Sequence, residues 1–190
     1  MLLDSKIDGK NNNGSIEVIC GSMFSGKTEE LLRRLNKAKF AKKKIEVYKP
    51  IVDNRYDTNK IVSHNKNHIN SRAVENAEEI LKLSKEPDII GLDEVQFFDA
   101  EIVAVCNFLA NSGVRVILAG VDMDFEKKPF GKMPELLAIA DHVTKVRAIC
   151  VSCGHEANYS YRINGNKNII HLGQQENYQP LCRNCYNIKS

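Results

Sequence analysis

A chain of 190 residues has length for one full core and a small appendage. With 43% hydrophobic and 27% charged residues and a net charge of +3, it is an ordinary globular composition, too mildly basic to argue for a nucleic-acid surface. No apolar run approaches the ~20 residues of a membrane span, so neither nucleic acid nor membrane is expected as a partner.

Met1 to Lys6 lack the apolar region of a signal peptide, and Asn11 to Gly14 follow, so residues 1–14 read as a flexible tail and the chain as cytoplasmic. In that compartment six cysteines point to thiols or metal ligands rather than disulfides. Ser15 to Cys20 form a short apolar strand. Gly21, Ser22, Met23, Phe24, Ser25, Gly26, Lys27 and Thr28 then fit G-x-x-x-x-G-K-[ST], the phosphate-binding P-loop. Its glycines let backbone N–H groups turn toward phosphate oxygens, Lys27 adds a mobile cation, and Thr28 offers a hydroxyl to Mg²⁺. Leu31, Leu32, Leu35 and Ala38 recur at helical spacing, completing the strand–loop–helix context that separates a P-loop from an incidental glycine turn. The lysines from Lys37 to Lys44 read as the solvated end of that helix.

Ile45 to Tyr48 are a second strand, closed by Lys49 and Pro50. A polar loop from Asp53 to Asn70 follows, with a short strand at residues 60–63. Within it Arg55 is either an extra cation for a transferring phosphoryl group or a surface arginine. Ala77 to Leu83 read as a helix and Asp88 to Leu92 as a buried strand. That strand closes on Asp93 and Glu94, a Walker B pattern in which Asp93 would hold Mg²⁺ opposite Thr28 while Glu94 takes a proton from an attacking hydroxyl or water. Ala100 to Ala110, with Ile102, Val105, Cys106 and Leu109 on one face, form a helix. Val114 to Ala119 form a strand, Pro134 to Ala140 a helix, and His142 to Val146 a strand. This alternation predicts an α/β fold, a P-loop NTPase-like, mostly parallel sheet with helices on both faces. Its motifs at residues 21–28, 53–56, 93–96 and 122–130 gather at the carboxyl ends of the strands. Cys20 and Cys106 read as small core residues.

From about Cys150 the character changes. Cys150, Cys153, Cys182 and Cys185 form two Cys-x-x-Cys pairs, the ligand set of a closed, structural Zn²⁺ site. His155 is superfluous to it, and His64, His68, His142 and His171 have no metal spacing. Tyr159, Tyr161 and Ile163 alternate as a hairpin strand. The long gap before the second pair fits an excursion between Arg162 and Gln179, either a lid or a tolerated surface insertion. The chain thus divides into a tail (1–14), a P-loop domain (15–147) and a zinc-ribbon lid subdomain (148–190).

Together these segments resemble the type II thymidine kinases, the tetrameric Zn-containing family, from Ser15 to Tyr186. The carriers are Gly21 to Thr28, Asp53 to Tyr56, Asp93 to Phe98, Asp124 to Gly131 and the two cysteine pairs. The resemblance implies transfer of the γ-phosphoryl group of ATP to the 5′-hydroxyl of thymidine, with deoxyuridine a second candidate, in pyrimidine salvage. It implies Glu94 as proton acceptor, Asp93 as the Mg²⁺-associated acid, and Asp93, Glu94, Val95 and Gln96 as a second nucleotide-contacting segment. Phe125 and Phe130 match aromatics around the base, positions that would otherwise read as core. Tyr178 matches a lid tyrosine, and Ile169, Ile170, His171, Leu172 and Gly173 match the lid stretch whose backbone reads the pyrimidine edge. A homotetramer and inhibition by the triphosphate end product (dTTP) are further implications. Ser22, Val95 and the Leu172–Gly173 pair depart from the family's commoner residues, the last leaving fine substrate preference open. Two readings from other classes remain: a nucleic-acid-stimulated P-loop ATPase whose ribbon grips the strand, and a nucleotide switch whose ribbon serves assembly.

Overall fold

The computed structural model describes residues 14–51, 60–62, 68–163 and 177–189. Six strands form one parallel sheet: β1 (Ser15–Gly21), β2 (Ile45–Pro50), β5 (Arg72–Val74), β6 (Ile89–Leu92), β7 (Arg115–Val121) and β8 (His142–Lys145). Their spatial order is β5-β2-β6-β7-β1-β8, with every neighbouring pair parallel. Strands β3 (Lys60–Val62) and β4 (His68–Asn70) pair antiparallel outside it.

Sequence accounts for the two-sided covering. β1, β6 and β7 are near-continuous apolar runs, as strands buried on both faces require. Successive side chains alternate between two cores. Ile19, Val47, Ile89 and Ile117 meet Leu31, Leu32, Leu35 and Ala38 of α1 (Lys27–Phe40). Val18, Cys20, Ile90, Leu92, Val116 and Leu118 face the other way. There they meet Ile80 of α2 (Glu78–Leu83), Ile102, Val105, Cys106 and Leu109 of α3 (Ile102–Asn111), and Met133 and Leu136 of α4 (Met133–Ile139). At Gly91 the approach of α1 is so close that an added Cβ would lie 2.8 Å from Leu35 Cδ1. Cys20 and Cys106 are both core thiols, and burial pushes them up to about 11 and about 12.

The expected α/β alternation is present, and β3 falls where a short strand was expected. Between β3 and β6 two strands were not expected. β4 closes the polar stretch after β2, and β5, just beyond it, joins the main sheet in three residues, Tyr48↔Arg72 through Pro50↔Val74. An edge strand covered on little more than one side needs few apolar residues, so periodicity does not reveal it.

After β8 a second cluster begins. β9 (Ala148–Ile149) pairs antiparallel with β10 (Glu156–Ala157), β11 (Tyr159–Arg162) pairs antiparallel with β12 (Tyr178–Leu181), and α5 (Arg183–Lys189) closes the chain. Ala148, Cys150, Ala157, Tyr159, Leu181 and Tyr186 make its small core, against which Phe24 and Met123 pack. Phe24 belongs to the P-loop and Met123 to the loop after β7, so this cluster stands over the carboxyl ends of the strands.

Candidate active site at the carboxyl ends of the strands

The loop between β1 and α1 is shaped by close backbone approach. Gly21 has φ 149°, and a Cβ there would lie 2.2 Å from the Val146 carbonyl oxygen. Gly26 takes the left-handed conformation (φ 84°) as the residue before α1, so no side chain obstructs the N–H groups of the first turn. Those groups and the helix dipole form an anion seat. Lys27 is buried, and its Nζ donates to the Ser22 carbonyl at 2.8 Å. Ser25 Oγ donates to the same oxygen at 2.7 Å. The loop is tied to the second cluster by Met23 N–H donating to Ser160 Oγ (3.0 Å) and Ser22 Oγ donating to the Ala157 carbonyl (3.4 Å).

One strand, β7, separates β1 from β6, and Thr28 and Asp93 meet across that gap, Thr28 Oγ1 donating to Asp93 Oδ2 at 3.3 Å. A hydroxyl and a buried carboxylate are hard oxygen donors of the kind Mg²⁺ takes. Glu94 follows in a left-handed turn (φ 52°, ψ 41°), and its N–H is satisfied by Asp93 Oδ1 at 3.0 Å. This turn starts the short 3₁₀ segment Val95–Phe97 and divides the two acids: Asp93 is buried at Thr28, Glu94 half-exposed. Val95 and Gln96 are buried, and the Gln96 amide bonds both the Glu94 carboxylate and the Val121 N–H.

The loop after β7 is built by Asp124, whose Oδ1 accepts from the N–H groups of Glu126 (2.8 Å) and Lys128 (2.9 Å), while Met123 and Pro129 form an isolated bridge. It presents Phe125 and Phe130, both half-buried. Phe130 meets Phe97 edge-on, with ring centroids 5.4 Å apart. The Arg162 guanidinium lies 3.7 Å from the Phe125 ring centroid, and its Nε donates to the Tyr178 hydroxyl at 3.0 Å. The Tyr186 hydroxyl donates to the Phe125 carbonyl. Phe125 and Tyr178, far apart in sequence, are thus joined through one buried arginine. Asp122, buried at the end of β7, pairs with Lys145 of β8 at 2.7 Å.

The structure brings together the P-loop, Asp93 and Glu94, and it groups Phe125 with Tyr178 and Phe130 with Phe97. Arg55 and the stretch Ile169 to Gly173 lie outside the described residues. Sequence reasoning missed Arg162, Ser160 and the internal bonding of Gln96. Arg162 and Ser160 belong to no motif, and only the β11–β12 pairing and the packing of β11 on the P-loop give them work. The two cysteine pairs converge: the Sγ atoms of Cys150, Cys153, Cys182 and Cys185 all lie within 4.8 Å of one another. Tetrahedral Zn²⁺ with ordinary Zn–S bonds separates its sulfurs by roughly 3.8 Å, so the cluster fits such an ion. His155 Nδ1 sits 3.4 Å from Cys153 Sγ, beside the cluster rather than within it. No helix among the described residues is long and apolar enough to cross a membrane.

A family model described as thymidine kinase matches residues 14–186. A thymidine kinase of Porphyromonas gingivalis is 58% identical over 91% of this chain and 85% of its own length. One from Bacteroides fragilis is 52% identical over 96% of this chain and 92% of its own length. One from Rhodothermus is 49% identical over 91% of this chain and 81% of its own. A solved DNA replication initiation factor overlaps more loosely, with TM-score 0.44 and 16% identity over 70% of this chain and 40% of its own, and nothing rests on it. A P-loop facing a paired-acid strand end, beneath aromatic residues and a four-cysteine cluster, is accordingly carried by a chain that belongs to the thymidine kinase family.

Proposed function

We propose that the chain is an ATP-dependent nucleoside kinase that transfers the γ-phosphoryl group of ATP to the 5′-hydroxyl of thymidine, giving thymidine monophosphate and ADP. The observation that carries this reading is the left-handed turn at Glu94. It leaves Asp93 with Thr28 on the phosphate side and bonds Glu94 to Gln96, whose amide also holds Val121 at the root of the aromatic loop.

Phosphoryl transfer depends on positioned charge more than on covalent chemistry. The P-loop N–H groups and the start of α1 hold the β- and γ-phosphates, and Lys27 leaves the Ser22 carbonyl to follow them. Thr28 and Asp93 would hold Mg²⁺, which supplies charge neutralisation between the phosphates when bound. Glu94 accepts the proton of the 5′-hydroxyl as that oxygen bonds to the γ-phosphorus and the bond to the β–γ bridging oxygen breaks. Arg55 adds a cation to the transferring group. Phe125, Phe130 and Tyr178 border the base, and backbone groups of Ile169 to Gly173 read its edge, because N–H and C=O have fixed donor and acceptor identity.

The remaining expectations belong to the same reading. Residues 15–147 are the kinase domain and 148–190 a lid subdomain; all but Gly14 of the tail expected at residues 1–14 lies outside the described residues. Cys150, Cys153, Cys182 and Cys185 hold a structural Zn²⁺, with no open coordination position for chemistry. The triphosphate end product inhibits by placing its nucleoside under the lid and its phosphates toward the P-loop. The chain works as a homotetramer in the cytoplasm.

Incubation with labelled ATP, Mg²⁺ and separate nucleosides tests the proposal. Thymidine-dependent ADP release with labelled thymidine monophosphate is expected; ADP release that follows added nucleic acid and leaves every nucleoside unlabelled would overturn it. Glu94→Gln should retain ATP binding and lose turnover by roughly 10²–10⁴-fold.

A further inference from the structure

Gln96 is 3% exposed, which is unusual for a primary amide two residues beyond a catalytic acid. Its Oε1 accepts the Val121 N–H at 2.9 Å, and its Nε2 donates to Glu94 Oε2. The orientation is chemically forced. A peptide N–H can only donate, so the amide oxygen must face Val121, and that leaves the NH₂ group toward Glu94. Two glycines make room for this arrangement. A Cβ on Gly120 would lie 2.9 Å from Gln96 Oε1, and one on Gly131 would lie 2.2 Å from the Gln96 carbonyl oxygen. Gly120 is in β7, and Gly131 ends the loop that carries Phe125 and Phe130. The amide is therefore set between the strand that supports the nucleoside loop and the acid that faces the acceptor.

The geometry points to Gln96 as a positioning residue for phosphoryl transfer, holding the Glu94 carboxylate in register with the backbone of the nucleoside-binding loop. The inference rests on Glu94 being the proton acceptor. A carboxylate on a left-handed turn has several rotamers open to it, and one amide donor anchored to a buried strand selects among them. The N–H bond also favours the charged carboxylate, the form that can accept a proton. In this role Gln96 acts on the acceptor side of the reaction, not as a phosphate contact, because its side-chain oxygen and one N–H are already engaged within the protein.

Gln96→Glu separates positioning from mere structure. The replacement keeps an acceptor for the Val121 N–H but turns the Nε2 donor into an oxygen facing Glu94. Two facing carboxyls share protons, so the acid limb of kcat/KM for thymidine should move up by about one pH unit or more. At neutral pH kcat should fall roughly 10–100-fold, while KM for ATP stays within about twofold. Gln96→Met, which loses both bonds, should lower kcat at every pH, and Gln96→Glu should recover part of that loss above the shifted limb. An unmoved pH profile in Gln96→Glu overturns the proposal, as does a raised KM for ATP with kcat intact, the signature of a phosphate contact. Glu94→Gln, measured in parallel, reads the base itself; normal turnover there removes the base assignment and the proposal together, whatever Gln96 does. Should the Gln96 variants not fold, a crystal structure of the unaltered chain with thymidine decides. Gln96 Nε2 within roughly 3.2 Å of the Glu94 carboxylate supports the proposal, and an amide turned to another partner overturns it.

Discussion

Glu94 and Gly131 share nearly the same left-handed φ, 52°, but for different reasons. At Gly131 the absence of a side chain is a steric condition, since a Cβ would meet the Gln96 carbonyl at 2.2 Å. Gly131→Ala should therefore cost roughly 1–3 kcal/mol, read by chemical denaturation, through strained backbone and a displaced loop. Its KM for thymidine should rise more than its KM for ATP, because the loop it ends carries Phe125 and Phe130 and the P-loop lies elsewhere. Equal effects on both constants would contradict that placement. Glu94 is a non-glycine residue held in a conformation that costs about 1 kcal/mol, and strain kept at the residue with the chemical assignment is consistent with a functional turn. Arg162 makes a third case. Its guanidinium covers Phe125 and bonds Tyr178, so Arg162→Met should raise KM for thymidine roughly tenfold with a smaller effect on kcat, the steady-state split that separates base binding from chemistry. The acids were legible in sequence because they close an apolar strand. Arg162 was not, because its meaning comes from a partner 16 residues away whose strand pairing no local pattern announces.

At the scale of elements, β11 and β12 do the joining. Arg162↔Tyr178 is the last pair of their ladder, so the two strands end at residues that grip each other. Below, Ser160 on β11 accepts the Met23 N–H of the P-loop, and the cysteine pairs close the far end. Loss of one sulfur ligand should act along this path. Cys153→Ser should reduce zinc affinity at least roughly tenfold by elemental analysis under competing chelator, and raise KM for thymidine as the hairpin loosens. Unchanged zinc content would remove Cys153 from the ligand set; lost zinc with an unchanged KM would detach the cluster from nucleoside binding. The cysteine spacing made the four-sulfur cluster readable without coordinates, and the long apolar runs did the same for the central strands of the sheet. What escaped was short and paired at a distance. β5 contributes Arg72, Ala73 and Val74, of which only Val74 is buried, and three residues at a sheet edge carry too little periodicity to register.

For the molecule as a whole, the sheet and α1 are locked at the side opposite α3 by a buried acid. Glu17 on β1 is 4% exposed and accepts from Arg34 Nη1 of α1 at 2.6 Å and Arg115 Nε of β7 at 2.5 Å. Arg34 goes on to Thr144 of β8 at 2.9 Å and to Glu30 at 2.8 Å, so three adjacent strands and their covering helix share one network. Burial alone would raise the Glu17 carboxyl, but the bonds and charges of Arg115 and Arg34 outweigh it and hold the group below its ordinary value of 4.5. A carboxylate whose folded value is lowered contributes stability that is complete above the unfolded value and lost as pH falls through the folded one. The wild-type melting temperature should therefore decline as pH drops below about 4.5, with Glu17 among the groups responsible. Glu17→Gln should unfold more easily at neutral pH, by about 2–4 kcal/mol, because two arginines lose the carboxylate that compensated their partial burial. The half-exposed side of Arg115 places the expectation toward the lower end. The same variant should show a shallower decline between about pH 5 and pH 3, since one proton-linked group has been removed. Thermal melts across that range compare the two proteins directly. Parallel curves would mean that Glu17 contributes no acid-linked stability, and the network would then be reduced to geometry without energetic weight.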